Sequence, residues 1–413
     1  MPSEVTDVRM KGFARRASVD EAVDLIRQRV VSLPAERCSW SSLADRVLAE
    51  SLSSPVDLPA FPRSAMDGYA VRSPAQPGQD YTIIGEAFPG RPFAGEVSPG
   101  QAVRIMTGAP IPTGADCVVP VEQTECSPTT VRLKETFPSG KNCIRVGEDV
   151  SAGQQLLPAG RRLRPQDLGL LAAVGLADVA VVRRPRVALY ITGEELLPPG
   201  SIPSGYSIVD CNSPMLMALI ARDGGDVRDL RRVPDQPDEL RRAIRESDAD
   251  LFLITGGTSV GSQDYAPMII AELGELPIHG IALRPAAPTG IGFLPENRPV
   301  FLLPGNPVSC LCAYDLFAAR AIRQLGGRDP DWPYPRHTGI LAEDILSASG
   351  RVDYIRVIET AGKLYPIRAG ASNLSSTVLA TGFLLVPAER DRLLKDESLT
   401  WFAYDLHAFQ GKD

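Results

Sequence analysis

Three apolar runs lead into loops rich in glycine and polar groups. Val187–Ile191 is followed by Thr192-Gly193-Glu194-Glu195. Leu251–Ile254 leads into Thr255-Gly256-Gly257-Thr258-Ser259-Val260-Gly261, and Val300–Leu303 into Pro304-Gly305-Asn306-Pro307. Glycine lets backbone N–H groups approach an anion closely, and the N-terminus of a following helix favours negative charge. Three carboxylates, Glu195, Asp235 and Asp264, fall at strand ends or helix starts around these loops. Carboxylates do not bind phosphate, but one or two of them together with phosphate oxygens suit Mg2+, a hard cation. The combination predicts a site for a nucleotide or another phosphorylated ligand. Asp235 fits equally well as a helix cap. Two further motifs carry chemistry only in context. Asp67 in S-A-M-D-G-Y-A (64–70) reads as a site residue or as part of a plain hairpin turn, and Thr107 in R-I-M-T-G-A-P (104–110) can bind phosphate or close a side-chain turn.

The elements that must position these groups follow from periodicity. Ser18 and Glu21 have capping-box spacing ahead of Ala22, Leu25, Ile26 and Val30, which predicts a helix over 18–33 stopped by Pro34. Leu43, Val47 and Leu48 predict a second helix over 41–51, and 165–175 a third, between Pro165 and Gly175. The stretch 54–153 is rich in Pro and Gly with short Val/Ile runs and reads as a β domain with functional loops. From Arg184, strands at 187–191, 227–233, 251–254 and 300–303 alternate with helices at 213–221, 237–246 and 308–324. That alternation predicts a mostly parallel sheet with its ligand crevice at the carboxyl ends of the strands. After Trp332, runs at 352–358, 364–367 and 383–386 predict a small C-terminal β domain.

Composition excludes several classes. The chain has 413 residues, a formal net charge of −7 and 44% hydrophobic residues. It is neither disordered nor a single domain; at about 100–200 residues per domain it holds two to four. The negative balance and the lack of a Lys/Arg block exclude a nucleic-acid patch. The longest apolar stretch, Leu168–Val182, is broken by Asp178 and too short to span a bilayer, and the first residues carry no apolar secretory core, so the expected location is cytoplasmic. Seven cysteines without a C-x-x-C pair read as reduced thiols, and three scattered histidines make no metal site or triad. There is no G-x-x-x-x-G-K-[ST], no G-x-S-x-G and no dinucleotide fingerprint.

Eight motifs, in order along nearly the whole chain, resemble the molybdopterin molybdenumtransferase family, which includes bacterial MoeA and the E-domain of gephyrin. They are S-A-M-D-G-Y-A (64–70), R-I-M-T-G-A (104–109), P-T-G-A-D-C-V-V (112–119), R-V-G-E-D (145–149), T-G-E-E-L (192–196), D-C-N (210–212), G-G-T-S-V-G-S-Q-D-Y (256–265) and L-P-G-N-P-V-S (303–309). The resemblance implies a multidomain α/β plus β fold. Its central domain is a mostly parallel α/β sheet of the molybdopterin-binding type (15–34 and 177–334). The others are an elongated helical/β linker domain (35–53 and 154–176), a β-rich domain (54–153) and a C-terminal β-barrel-like domain (335–413). It implies a homodimer in which the β-rich domain of the other subunit closes the cleft. The implied activity is Mg2+-dependent insertion of molybdate into adenylylated molybdopterin with release of AMP. An upstream adenylyltransferase and downstream cofactor carriers are the implied partners, with no nucleic acid and no membrane. Carried over by motif, Asp67, Thr107, Glu195, Asp235 and Asp264 are catalytic, with Glu195 and Asp264 as metal ligands. Thr192, Gly193, Asp210, Asn212, Gly256, Gly257, Ser259, Gly261, Arg284, Pro304, Gly305, Asn306, Pro307 and Ser309 bind the substrates.

The chain departs from the family in places. T-G-E-E-L stands for T-G-D-E-L but keeps Glu195, and Thr258 replaces a valine. Lysines that the family uses to hold molybdate correspond here to Pro267 and to the run Arg284-Pro285-Ala286-Ala287-Pro288, which keeps one cation and loses another at Ala287. The family's Q-G-S is Gly370-Ala371-Ser372, and no lysine lies between Lys141 and Lys363. These changes imply weakened molybdate binding, with Arg356 or Ser372 as the other groups able to hold the oxyanion. The alternatives are a paralogue that binds or hydrolyses adenylylated molybdopterin but uses another oxyanion such as tungstate, and a scaffold without efficient metal insertion.

Overall fold

A computed structural model describes residue 13, residues 15–259, residue 261 and residues 264–404. Val260, Ser262 and Gln263 of the second glycine loop, and 405–413 of the expected C-terminal domain, lie outside the described residues. Helix α1 (Val19–Arg29) starts at the expected capping box: the Glu21 N–H donates to Ser18 Oγ at 3.0 Å and the Ser18 N–H to Glu21 Oε2 at 2.8 Å. It ends earlier than 33 because Val30 turns extended, ahead of a second β-branched residue and Pro34. The helix expected over 41–51 does not form. A single 3₁₀ turn, Trp40–Ser42, precedes Asp45 at φ 65°; Leu48 then bridges to Val181, and the Ala49 N–H donates to the Ala180 carbonyl. Leu43 and Leu48 are buried as a helix would bury them, but the Leu43 N–H donates to the Trp40 carbonyl and the Leu48 N–H to the distant Arg161 carbonyl, so no helical ladder forms.

Two compact units divide the chain: residues 37–44 with 48–181, and the remainder. In the first, β1 (Gly68–Val71), β2 (Asp80–Ala87), β3 (Gln101–Ile105), β4 (Cys117–Pro120), β5 (Thr124–Cys126) and β6 (Thr130–Leu133) form one sheet in the order β4-β1-β3-β2-β6-β5. Only β2 and β3 run parallel. Tyr69 and Val71 face one apolar cluster and Ala70 another, so the period-2 alternation of β1 buries both faces. Helix α2 (Pro165–Ala173) begins at Pro165 and stops before Gly175, as expected.

The second unit contains the α/β sheet. In chain order it runs β7 (Arg186–Thr192), α3 (Asn212–Arg222), β8 (Asp226–Val233), α4 (Pro237–Glu246), β9 (Leu251–Thr255), α5 (Ala266–Leu273), β10 (Glu275–His279), β11 (Leu283–Arg284), β12 (Gly290–Leu294) and β13 (Arg298–Leu303). The sheet order is β8-β7-β9-β13-β12-β10, parallel through β13 and antiparallel beyond it. Every residue of β9, and every residue of β7 after Arg186, is buried. That matches a parallel sheet covered on both faces. One face packs against α1, α3 and the helical run α6 (Pro307–Ala313) and α7 (Ala319–Leu325), which a π turn at Tyr314–Ala318 joins; the other packs against α4 and α5. From β7 the chain winds to β8 on one side, then returns to β9 on the other. That reversal opens a crevice at the carboxyl ends of β7 and β9.

Strands β14 (Arg336–Leu341), β15 (Val352–Thr360), β16 (Lys363–Pro366), β17 (Gly382–Val386) and β18 (Ser398–Ala403) follow in the same unit. Their order β15-β16-β14-β18-β17 closes through β15–β17 into the expected barrel, which leaves none of the five as a free edge. The two-residue β11 adds in parallel to β15. Among the described residues no helix is long and apolar enough to cross a membrane.

Candidate functional site

Ile191 and Thr255 are partners in the β7–β9 register, so the glycine loops leave the sheet side by side. Gly256 has φ 86°, and a Cβ there would lie 2.3 Å from the Thr192 carbonyl oxygen. Only glycine permits that approach. Asn212, the first residue of α3, spans the crevice: its Nδ2 donates to the Gly305 carbonyl at 2.7 Å and to Thr255 Oγ1 at 3.3 Å. Asp210 supports it from below. Its Oδ1 accepts the N–H groups of Asn212 and Ser213, both at 3.0 Å, and its Oδ2 accepts from Ser213 Oγ at 2.5 Å. Asp210 therefore caps α3 and holds Asn212 in place. Asn212 Oδ1 is buried without a hydrogen-bond partner, and the buried Thr192 Oγ1 has the Asp235 carboxyl as its polar neighbour. Buried polar atoms are normally satisfied, so the Asn212 orphan marks a position for a ligand atom.

The charge of Glu195 is felt at Asp235. Burial pushes the Asp235 carboxyl above its ordinary range, the charges of Glu195 and Glu194 push the same way, and the Glu194 N–H partly opposes them. Asp235 does not cap α4, whose N-cap is Gln236. Gly257 is beside Asp235: a Cβ there would be 3.8 Å from Asp235 Oδ1 and 3.0 Å from Thr192 Oγ1. Two neighbouring carboxylates that repel each other fit a divalent cation. Among the described residues no group of three or more His, Cys, Asp or Glu converges, so Mg2+ held here would take its other ligands from substrate and water. Asp264 closes its own loop, accepting the Gly261 N–H on Oδ2 at 2.6 Å. Ser259 is half-buried in the same loop. Beneath it, Thr258 Oγ1 donates to the Leu303 carbonyl at 3.0 Å, and His279 Nε2 donates to the Thr258 carbonyl at 3.0 Å. Burial keeps the His279 imidazole below its ordinary range. Nothing in the sequence singles out His279, an isolated histidine in an apolar strand.

The third loop joins the crevice to a cavity. Pro304 is buried, Asn306 is the N-cap of α6 and Pro307 its first residue. Asn306 Oδ1 accepts from Ser372 Oγ at 3.0 Å, and the Val308 N–H donates to the Ala371 carbonyl at 3.0 Å, so Gly370-Ala371-Ser372 is seated on the start of α6. Beside it is a cavity of about 940 Å³ lined by Arg284, Ala287, Ser309, Arg351 and Arg356, among others. Arg284 and Ser309 thus face this cavity. Arg356 is 4% exposed; its Nη atoms bond Ser376 Oγ and the Ala369 carbonyl, and its Nε is buried without a partner. Pro267 is buried in the first turn of α5.

Residues 17–175 match the MoeA N-terminal region (domain I and II), and residues 188–324 match the probable molybdopterin binding domain. The molybdopterin molybdenumtransferase of Haemophilus influenzae is 34% identical over 387 residues, covering 91% of this chain and 95% of that protein. Molybdopterin molybdenumtransferase 2 of Mycobacterium tuberculosis is 34% identical over 363 residues, 83% of this chain and 88% of that one. The chain belongs to the molybdopterin molybdenumtransferase family. Two crystal structures of the molybdopterin biosynthesis MoeA protein from Pyrococcus horikoshii superpose on it with TM-scores of 0.80 and 0.75, at 28% and 29% identity, covering 95% and 94% of this chain and all of each.

Two molybdenumtransferase motifs meet in the other unit. Asp67 Oδ1 accepts the Thr107 N–H at 2.6 Å and the Thr107 hydroxyl at 2.7 Å. These two donors, the N–H above all, hold the Asp67 carboxyl below its usual range. Gly68 is the first residue of β1, so the motif enters a strand and is no plain hairpin turn. The remaining family residues are divided between crevice and cavity. Crevice residues are Thr192, Gly193, Glu195, Asp235, Gly256, Gly257 and Asn212; Arg284 and Ser309 line the cavity, with α6 between.

Proposed function

We propose that this chain inserts molybdate into adenylylated molybdopterin with Mg2+ and releases AMP, acting as a cytoplasmic homodimer. The observation that carries this reading is Asn212, which ties the second and third strand-end loops together and keeps an unsatisfied buried Oδ1, in a crevice that also holds the Glu195 and Asp235 carboxylates at the point where the sheet winding reverses. Loop amides and the Thr192 hydroxyl bind the pterin and adenylate phosphates. Asn212 keeps the loops at fixed separation, and the buried β7 and β9 ends exclude water from beneath them. Glu195 and Asp235 are the residues that would hold Mg2+ together with substrate oxygens and water, with Asp264 of the second loop as the further candidate ligand; the ion would neutralise phosphate charge and stabilise the leaving AMP. The cavity lined by Arg356 and Ala371 suits the oxyanion, because a buried guanidinium with an unpartnered Nε–H is a charge-assisted donor.

The test mixes purified protein with adenylylated molybdopterin, Mg2+ and either molybdate or tungstate, and measures AMP and active cofactor separately. AMP release and cofactor formation with molybdate support the reading. AMP without cofactor, or cofactor only with tungstate, favours the paralogue that the missing lysines suggest. Asp264→Asn should lower AMP release much more than substrate binding. Parental AMP release by that variant near Mg2+ saturation removes Asp264 from the metal site.

A further inference from the structure

Asp353 is fully buried at the start of β15 and is bonded on both oxygens. Ser347 Oγ donates to Oδ2 at 2.8 Å, Arg284 Nη2 is 2.5 Å from the same oxygen, and Arg351 Nε donates to Oδ1 at 3.0 Å. Arg284 belongs to β11 and Arg351 precedes β15, so one carboxylate fixes two guanidiniums on the wall of the 940 Å³ cavity. Their side chains remain 49% and 30% exposed. Two arginines on one carboxylate leave a net positive charge. Arg351 uses one of its five N–H donors, Nε, on Asp353, which leaves its two terminal Nη groups as the donors it can present to a ligand. The same wall carries Ala287, which brings no charge, and Asp344, which opposes an anion; Arg368 is paired with Glu343 at 3.3 Å.

We propose that Arg351, oriented by Asp353, is an oxyanion-binding residue of this cavity and supplies the positive charge that Ala287 lacks. The proposal rests on the molybdate-inserting reading above. Its ligand class is a tetrahedral dianion: the planar guanidinium presents paired N–H groups to two oxygens at once, which a lysine ammonium cannot do. Arg356 with its unpartnered Nε supplies a second contact, so the oxyanion is held by arginines from the barrel. Asp353 is the positioning residue, since it reaches the ligand only through Arg351 and Arg284.

Calorimetric titration of the full chain with molybdate and with tungstate, without pterin, tests this beside the molybdate dependence of cofactor formation. Arg351→Gln should raise the dissociation constant and the half-saturating molybdate about tenfold or more, the worth of one charge-assisted hydrogen bond, while the rate at saturating molybdate changes little. Arg351→Lys should recover part of the loss. Asp353→Asn should shift binding in the same direction, but it also breaks a buried ion pair and lowers stability, so the Arg351 variants, at a half-buried side chain, decide the matter. If Arg351→Gln keeps the parental melting temperature and the parental oxyanion affinity, Arg351 is only a structural partner of Asp353 and the proposal fails alone. If the unmodified chain binds neither oxyanion and forms no cofactor, the functional reading fails and takes the proposal with it.

Discussion

Two glycines of one crevice should respond oppositely to the same change. Gly256→Ala puts a methyl 2.3 Å from the Thr192 carbonyl oxygen and 2.9 Å from its Oγ1, at a residue with φ 86°. The left-handed backbone costs an alanine about 1–2 kcal/mol. The contact is with main chain at the end of a fully buried strand pair, so relief requires β7 and β9 to part, an overpacking cost of about 1–3 kcal/mol. Together the loss is about 2–5 kcal/mol, a large share of a typical domain's stability. Gly305→Ala is different. Its φ is not in the left-handed region, the residue is exposed, and a Cβ would be 3.8 Å from the Gly256 Cα, an ordinary contact. That change should leave stability within about 1 kcal/mol, or raise it slightly through the unfolded chain. If backbone at Gly305 approaches a phosphate, the added methyl should still weaken pterin-nucleotide binding about tenfold, the worth of one such contact. Urea unfolding followed by tryptophan fluorescence and circular dichroism, with equilibrium binding of adenylylated molybdopterin, reads both effects. Parental unfolding of Gly256→Ala refutes the close-approach argument. Parental ligand affinity of Gly305→Ala refutes the placement of phosphate at the third loop.

Two further outcomes follow from the electrostatics. The folded state holds the Asp235 proton more tightly than the unfolded chain does, so the contribution of Asp235 to stability is greatest below the usual carboxylate range and is lost as pH rises through it. Without added metal, Asp235→Asn should therefore melt higher than the parent at neutral pH, and the difference should vanish near about pH 3; equal melting temperatures at neutral pH would refute the upward shift that burial and the neighbouring carboxylates impose on Asp235. Thr107→Val removes the hydroxyl donor to Asp67 and keeps the stronger N–H donor, so the Asp67 carboxyl should move part of the way back to its ordinary range. Carbon-detected NMR titration checks this; an unmoved Asp67 resonance would show that the hydroxyl contributes nothing.

The parallel half of the sheet was legible because its signals are local. Pro237 starts α4, and the alternating strands and helices from Arg186 to Leu303 give the winding and therefore the crevice. The antiparallel edge was not. Gly290 and Gly292 dilute the apolar run of β12, which therefore has no local strand signal, yet a Cβ on Gly292 would lie 2.7 Å from the Glu275 carbonyl, so that glycine records close packing within a strand. The failed helix over 41–51 has the same origin. Leu43 and Leu48 at near-helical spacing require burial, not a helix, and the strand that pairs with Leu48 arrives more than a hundred residues later.

The site was legible wherever a motif carries both the group and its backbone, as in the glycine loops. It was illegible where two distant side chains must meet. Nothing local says that Asp235 approaches Glu195, and nothing local says that Asp353 binds Arg284 through the pairing of β11 with β15. Counting lysines along the Arg284–Pro288 run gives an oxyanion site short of charge. The folded chain brings Arg351 and Arg356 of the barrel to the same cavity wall, so the deficit at Ala287 exists in that run and not in the cavity. One weak signal was available. Arg351 and Asp353 are two residues apart at a strand start, so they share a face, and an arginine and an aspartate on the mostly buried face of a barrel strand need a reason to be there. Because a buried carboxylate is costly unless paired, its partners are fixed in place, and a guanidinium fixed in place loses little entropy on binding an anion. That is why the arginine pair on Asp353, and not the flexible lysine it stands in for, can hold a tetrahedral oxyanion here.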